Sequence, residues 1–147
     1  MRYRRLLVLV AVLVSCYASA FAHHVAVITQ KENSLQNLSS VELGKIFKSD
    51  MKKWPNGRDI VIVLNANSPD SMEMLQHFIR LSSNKGKAFL AEHKSLFVIV
   101  DSDDQVLDTV SARPGSLGMV DVRAIDSRIK VLKIDGKLPL EKGYLPD

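Results

Sequence analysis

Asp59-Ile60-Val61-Ile62-Val63-Leu64-Asn65-Ala66-Asn67-Ser68-Pro69-Asp70-Ser71 is the stretch that decides the fold class of this chain. Residues 59–64 form a short, β-branched apolar run and read as a buried strand. Ser68-Pro69 then opens a helix, with Ser as cap and Pro at the first helical position, where its missing N–H costs nothing. Met72, Leu75 and Ile79 give that helix an apolar stripe, widened by Met74, Phe78 and Leu81. A buried strand feeding a capped, amphipathic helix is the repeating unit of an α/β sheet.

The same alternation extends in both directions. Upstream, Val25 to Thr29 reads as a strand. Ser39 and Glu42 form a capping box, with Leu38 and Leu43 as its hydrophobic staple. Leu43, Ile46 and Phe47 then share one helical face, and Trp54-Pro55-Asn56-Gly57 reads as a turn with Trp54 closing the edge of the core. Downstream, a helix is expected from about Lys85 through Ala88, Leu90 and Ala91, followed by a strand at Leu96 to Val100. Ser102 and Gln105 make a second capping box ahead of Val106, Leu107 and Val110. Arg113-Pro114-Gly115 ends that helix, Ser116 to Val120 is extended, and Ile129 to Ile134 reads as one last strand. The expected class is α/β, a sheet with helices packed on it.

The N-terminus has the parts of a secretory signal. Arg2, Arg4 and Arg5 precede an apolar run from Leu6 to Val14, and Ala18-Ser19-Ala20 or Ala20-Phe21-Ala22 offers a cleavage site. The run is shorter than the roughly 20 residues that span a bilayer. The expected division is therefore residues 1–22 as signal and 23–147 as one exported domain. Leu13-Val14-Ser15-Cys16 also resembles a lipobox, which leaves a lipoprotein tethered through Cys16 as the alternative to a soluble periplasmic product. Of the 20 basic residues three lie in this segment and none of the 16 acidic ones do, so the remainder carries 17 against 16, a net charge of +1. That balance excludes a nucleic-acid footprint, which needs a clustered basic face. The single cysteine leaves no disulfide framework.

The order of motifs resembles one family. Leu38-Ser39-Ser40-Val41-Glu42-Leu43 through Ile46-Phe47 and Trp54-Pro55-Asn56-Gly57 are similar to a stretch of phosphate ABC transporter substrate-binding proteins. Pro114-Gly115-Ser116-Leu117-Gly118-Met119-Val120 and Ile134-Asp135-Gly136 with Gly143-Tyr144-Leu145 are similar to later ones. The resemblance implies one lobe of a type 2 periplasmic binding protein, a mixed sheet flanked by helices, in a family whose members close two lobes on an anion and dock to a transporter. It implies a small oxyanion such as phosphate as ligand and an inner-membrane transporter or sensor as partner.

An oxyanion site wants helix N-termini, hydroxyl donors and usually an arginine. Ser68 and Ser71 supply hydroxyls at a helix start, Asp70 could accept the proton of a protonated phosphate, and the loop at Ser116 could add N–H groups. Where the family carries an arginine, an aspartate and a Ser-Gly-Thr-like turn before this helix, this chain reads Asn65-Ala66-Asn67-Ser68-Pro69-Asp70-Ser71, without the arginine and without a glycine turn. Arg58 and Arg113 are further cations without an assigned place. The competing reading is a ligand-free interaction module built on a single lobe. Asp101, Asp103 and Asp104 lack the Gly and Glu of a calcium loop and read as helix-start acids. His23, with His24, would make a copper-binding terminus if cleavage follows Ala22, or a free end. No cofactor or metal is expected. No G-x-S-x-G elbow, P-loop, H-E-x-x-H or catalytic cysteine is present, so no enzyme is expected either.

Overall fold

The computed structural model describes residues 24–146. Strand β1 (Val25–Gln30) is followed by the two-residue β2 (Asn37–Leu38) and helix α1 (Ser40–Phe47). Then come β3 (Val61–Asn65), α2 (Pro69–Ile79), α3 (Ser83–Glu92) and β4 (Phe97–Val100). Helix α4 (Asp103–Ala112), β5 (Ser116–Asp121), a 3-10 turn at Val122–Ala124, β6 (Ile129–Val131) and β7 (Lys133–Ile134) complete the chain. The main sheet has the order β4-β3-β5-β1-β6. β3 runs parallel to β4 and β5, whereas β1 is antiparallel to both of its neighbours. The expected mixed sheet flanked by helices is the architecture found.

The local signals act as the sequence implies. Ser39 accepts from the Glu42 N–H at 3.1 Å while the Glu42 carboxylate accepts from the Ser39 N–H at 2.9 Å, a closed capping box. At α4 the Ser102 hydroxyl accepts from the Gln105 N–H, but the Gln105 side chain reaches one residue further back, to the Asp101 N–H at 2.8 Å. Trp54 is buried, and its indole N–H donates to the Gly115 carbonyl at 2.9 Å, so it closes the core edge as expected.

Two apolar layers sandwich the sheet. On one face Val27, Ile62, Leu64 and Leu117 meet α1 and α2, with Phe47 and Phe78 stacked 4.8 Å apart. On the other face Ala26, Ile28, Val63 and Val120 meet Val106, Leu107 and Val110 of α4. Each of those three side chains contributes about 2 kcal/mol by leaving water. Gly118 lets α4 come this close: a Cβ there would stand 2.8 Å from methyl carbons of both Val106 and Val110.

One expectation is corrected. Residues 129–134 do not form a single strand but break at Leu132 into β6, on the edge of the main sheet, and β7, which pairs in parallel with β2. The Leu132 N–H still donates to the Val27 carbonyl at 2.9 Å. The return bond is replaced by the Tyr144 hydroxyl, which accepts from the Val27 N–H at 3.1 Å and donates to the Leu132 carbonyl at 2.7 Å. A side chain thus stands where the ladder would continue, and the strands part.

Candidate functional site at the carboxyl edge of the sheet

In open α/β sheets ligands lie beyond the carboxyl ends of the strands, where successive connections leave to opposite faces. Here α2 and α3 connect β3 to β4 over the first face, and α4 connects β4 to β5 over the second. The switch point is therefore the adjacent pair β3 and β5, ending at Asn65 and Asp121.

That point is bridged by a carboxylate of the chain itself. Asp103, the first residue of α4, accepts from the Asn65 amide at 2.9 Å through Oδ1 and from the Asp121 N–H at 3.0 Å through Oδ2. It lies at the positive end of the α4 dipole, where an anion is stabilised. The sequence marked Asp103 as a helix-start acid without its cross-strand partners. The signal that could have found them is its place directly after a capped strand end.

The other acids of the cluster are dispersed. Asp104 binds Arg128 at 2.7 Å, together with Asp108 and Asp126, and the Asp101 carbonyl accepts from the Asn67 amide at 2.9 Å. The Asp121 carboxylate accepts from Arg123 at Nε (2.9 Å), Nη2 (2.7 Å) and the backbone N–H (2.8 Å). The Arg123 side-chain bonds pull the Asp121 carboxyl down to about 2, against a smaller opposing effect of burial.

Ser68, Asp70 and Ser71 come together at the start of α2, on this same edge. The Ser68 hydroxyl accepts from the Ser71 N–H at 3.2 Å, as a cap. Ser71 is fully buried, and its own hydroxyl has no hydrogen-bond partner. Asp70 is half-buried and close enough to Arg123 to help raise the guanidinium pKa, behind the direct bonds from Asp121. Ser116 is not brought to this group. It pairs with Val61, four residues before Asn65, which sets it about 13 Å back along the strands. Its hydroxyl donates to the Val110 and Arg113 carbonyls and ties off α4.

Arg58 stands at that opposite end as well, beside Gly115, Trp54 and Gln36 along an open groove of about 630 Å³. His24 is exposed at the start of β1, and its charge is a minor contributor to the lowered Asp121 pKa. His23, Cys16 and the signal expected at residues 1–22 lie outside the described residues. No helix among the described residues is long and apolar enough to cross a membrane.

Sheet order and helix placement define a mixed α/β fold with helices on both faces of the sheet, and comparison with solved structures makes it specific: the fold is that found in phosphate ABC transporter substrate-binding proteins. An ABC-type phosphate transport receptor from Vibrio cholerae superposes with a TM-score of 0.63 at 15% identity, over 79% of this chain and 48% of the receptor. PstS from Borrelia burgdorferi gives 0.61 at 17% identity, over 79% of this chain and 49% of that one. A phosphate-binding protein from Stenotrophomonas maltophilia gives 0.59 at 21%, over 79% and 40%. The chain thus spans less than half the length of each of these binding proteins. No protein-family model and no curated protein matches the sequence.

Proposed function

We propose that this chain is an exported, non-enzymatic solute-binding-type domain that docks to a protein partner at the cell envelope, an inner-membrane transporter or a sensor. The observation that carries this reading is Asp103. Its carboxylate takes the donors of Asn65 and Asp121 at the switch point, where a small oxyanion would need them. The edge is also short of free positive charge. Asp70 and Asp101 stand there, and Arg123 is held by Asp121. An incoming phosphate would meet like charge, which an unpaired arginine would have to offset.

A second reading keeps the oxyanion, phosphate for choice, at the start of α2, with Ser68 and Ser71 as hydroxyl donors and Asp70 as acceptor of its proton. One observation favours it: the Ser71 hydroxyl is buried and unpartnered, and a buried donor of this kind is expensive to leave unused. The fold neighbours described as phosphate-binding lean the same way.

Calorimetric titration of the protein with phosphate and sulfate at millimolar concentration separates the two. Absence of heat and of any thermal shift, or a response that Ser71→Ala leaves unchanged, supports the docking domain. Heat with phosphate that disappears in Ser71→Ala supports the oxyanion site and overturns the docking reading. Export itself is tested by cell fractionation and N-terminal sequencing. A mature terminus at His23 supports the signal at 1–22, and a lipid-modified Cys16 supports the tethered form.

A further inference from the structure

A second groove, of about 420 Å³, lies between α1 and α2 on the outside of the first apolar layer. Its floor is Phe78, and one end is walled by Val41, which is 66% exposed. Four basic residues share the lining with Ser40 and Gly44: Lys45 and Lys48 from the end of α1, His77 and Arg80 from the end of α2. Asp50 is the only carboxylate on it. Among the described residues the ion pairs engage Lys53, Arg123 and Arg128, and none involves Lys45, Lys48 or Arg80.

Backbone conformation adds to the charge. Arg80 caps α2 in the left-handed region at φ 52°, a position that glycine fills at no cost and a branched or long side chain fills with strain. Ser49, between two lining residues of the groove, is also left-handed at φ 67°, with a buried, unpartnered hydroxyl. Arg80 therefore adds a group capable of bidentate donation to a lining that already holds two lysines.

We infer that the α1–α2 groove binds phosphoryl groups, taken either from a soluble polyanion such as pyrophosphate or from the headgroup of an anionic phospholipid whose acyl side meets Val41. The cavity lies within the range of small-ligand sites, and its cation set suits clustered phosphoryl oxygens better than a single carboxylate. This site is separate from the carboxyl edge, and neither reading of that edge requires it.

The test uses the full chain in two arms: titration with phosphate and pyrophosphate, and co-sedimentation with phosphatidylglycerol vesicles against phosphatidylcholine vesicles. Binding in the first arm identifies the soluble anion, and binding in the second alone identifies the headgroup. Either supports the groove if Lys48→Glu and Arg80→Gly each weaken it by about tenfold or more, the loss of one charge-assisted contact. Arg80→Gly also relieves the left-handed strain, so its melting temperature should hold or rise while binding falls. Binding in neither arm overturns the inference. So does binding that survives both substitutions, and so does phosphate binding lost only in Ser71→Ala, which belongs to the edge.

Discussion

Tyr144 and Leu132 share a 2.7 Å hydrogen bond from phenol to backbone carbonyl, at the place where β6 leaves β1. The same oxygen accepts the Val27 N–H, so one side chain satisfies both halves of an interrupted ladder pair. Tyr144→Phe keeps the ring and strips both partners, leaving two buried backbone groups unpaired. A loss of about 1–3 kcal/mol is expected in denaturant unfolding. An unchanged midpoint would show that water takes over both groups.

Burial pushes the Tyr144 phenol up to about 12, against the smaller opposite effect of the Val27 N–H. A folded-state pKa raised above the unfolded value contributes stability that is complete below about 10 and is lost as pH climbs towards 12. The other two tyrosines, Tyr3 and Tyr17, precede the domain, so a protein starting at His23 has a single phenol to follow by ultraviolet absorbance. Phenolate should form late and together with unfolding. Reversible ionisation near 10 in the folded protein would refute the burial.

Asp103→Ala removes the acceptor shared by Asn65 and the Asp121 N–H, at an expected cost of about 1–3 kcal/mol. It also opens the switch point. On the docking reading, added phosphate or sulfate raises the melting temperature of the variant by more than that of the parent protein, because the anion takes the carboxylate's place. Equal responses from both proteins would remove Asp103 from the explanation.

Gly118→Ala forces a methyl group against Val106 and Val110 at 2.8 Å, and α4 must lift from the sheet to admit it. Overpacking of this kind costs about 1–3 kcal/mol. Hydrogen exchange should show the loss concentrated in α4 and β5 while α1 keeps its protection. Uniform loss across the chain would contradict a local displacement.

Acid should act through Asp121. The bonds from Arg123 hold its carboxyl near 2, below the ordinary 3.8, so this contribution is present above about pH 4 and fades as pH falls towards 2. Arg123→Ala should flatten the dependence of melting temperature on pH within that window. At pH 7 the change should be small, since the guanidinium is 83% exposed.

Much of the fold was legible because its signals are local. Ser39 with Glu42, Ser68 with Pro69, and the β-branched runs at 25–29 and 59–64 each state their structure within a few residues. What escaped depends on distant partners. Nothing near residues 129–134 announces that Tyr144 will part the strand at Leu132, and nothing near residue 25 says that β1 runs against its neighbours. The candidate site divides the same way. Ser68, Asp70 and Ser71 are one turn of one helix and were found together, whereas grouping Ser116 with them needed the strand register. Asp103 was visible as a residue, but its meaning lies in Asn65 and Asp121, which come from two other strands.

Strand β1 comes first in the chain, yet it sits inside the sheet, with Thr29 facing Leu117 on one side and Lys130 on the other. Neither neighbour exists until β5 and β6, residues 116–131, have been made. The apolar segment Val25–Ile28 must therefore wait, unpaired, until those strands follow. Long-range closure of this kind makes folding slow and leaves this apolar segment without its sheet partners until the late strands are in place.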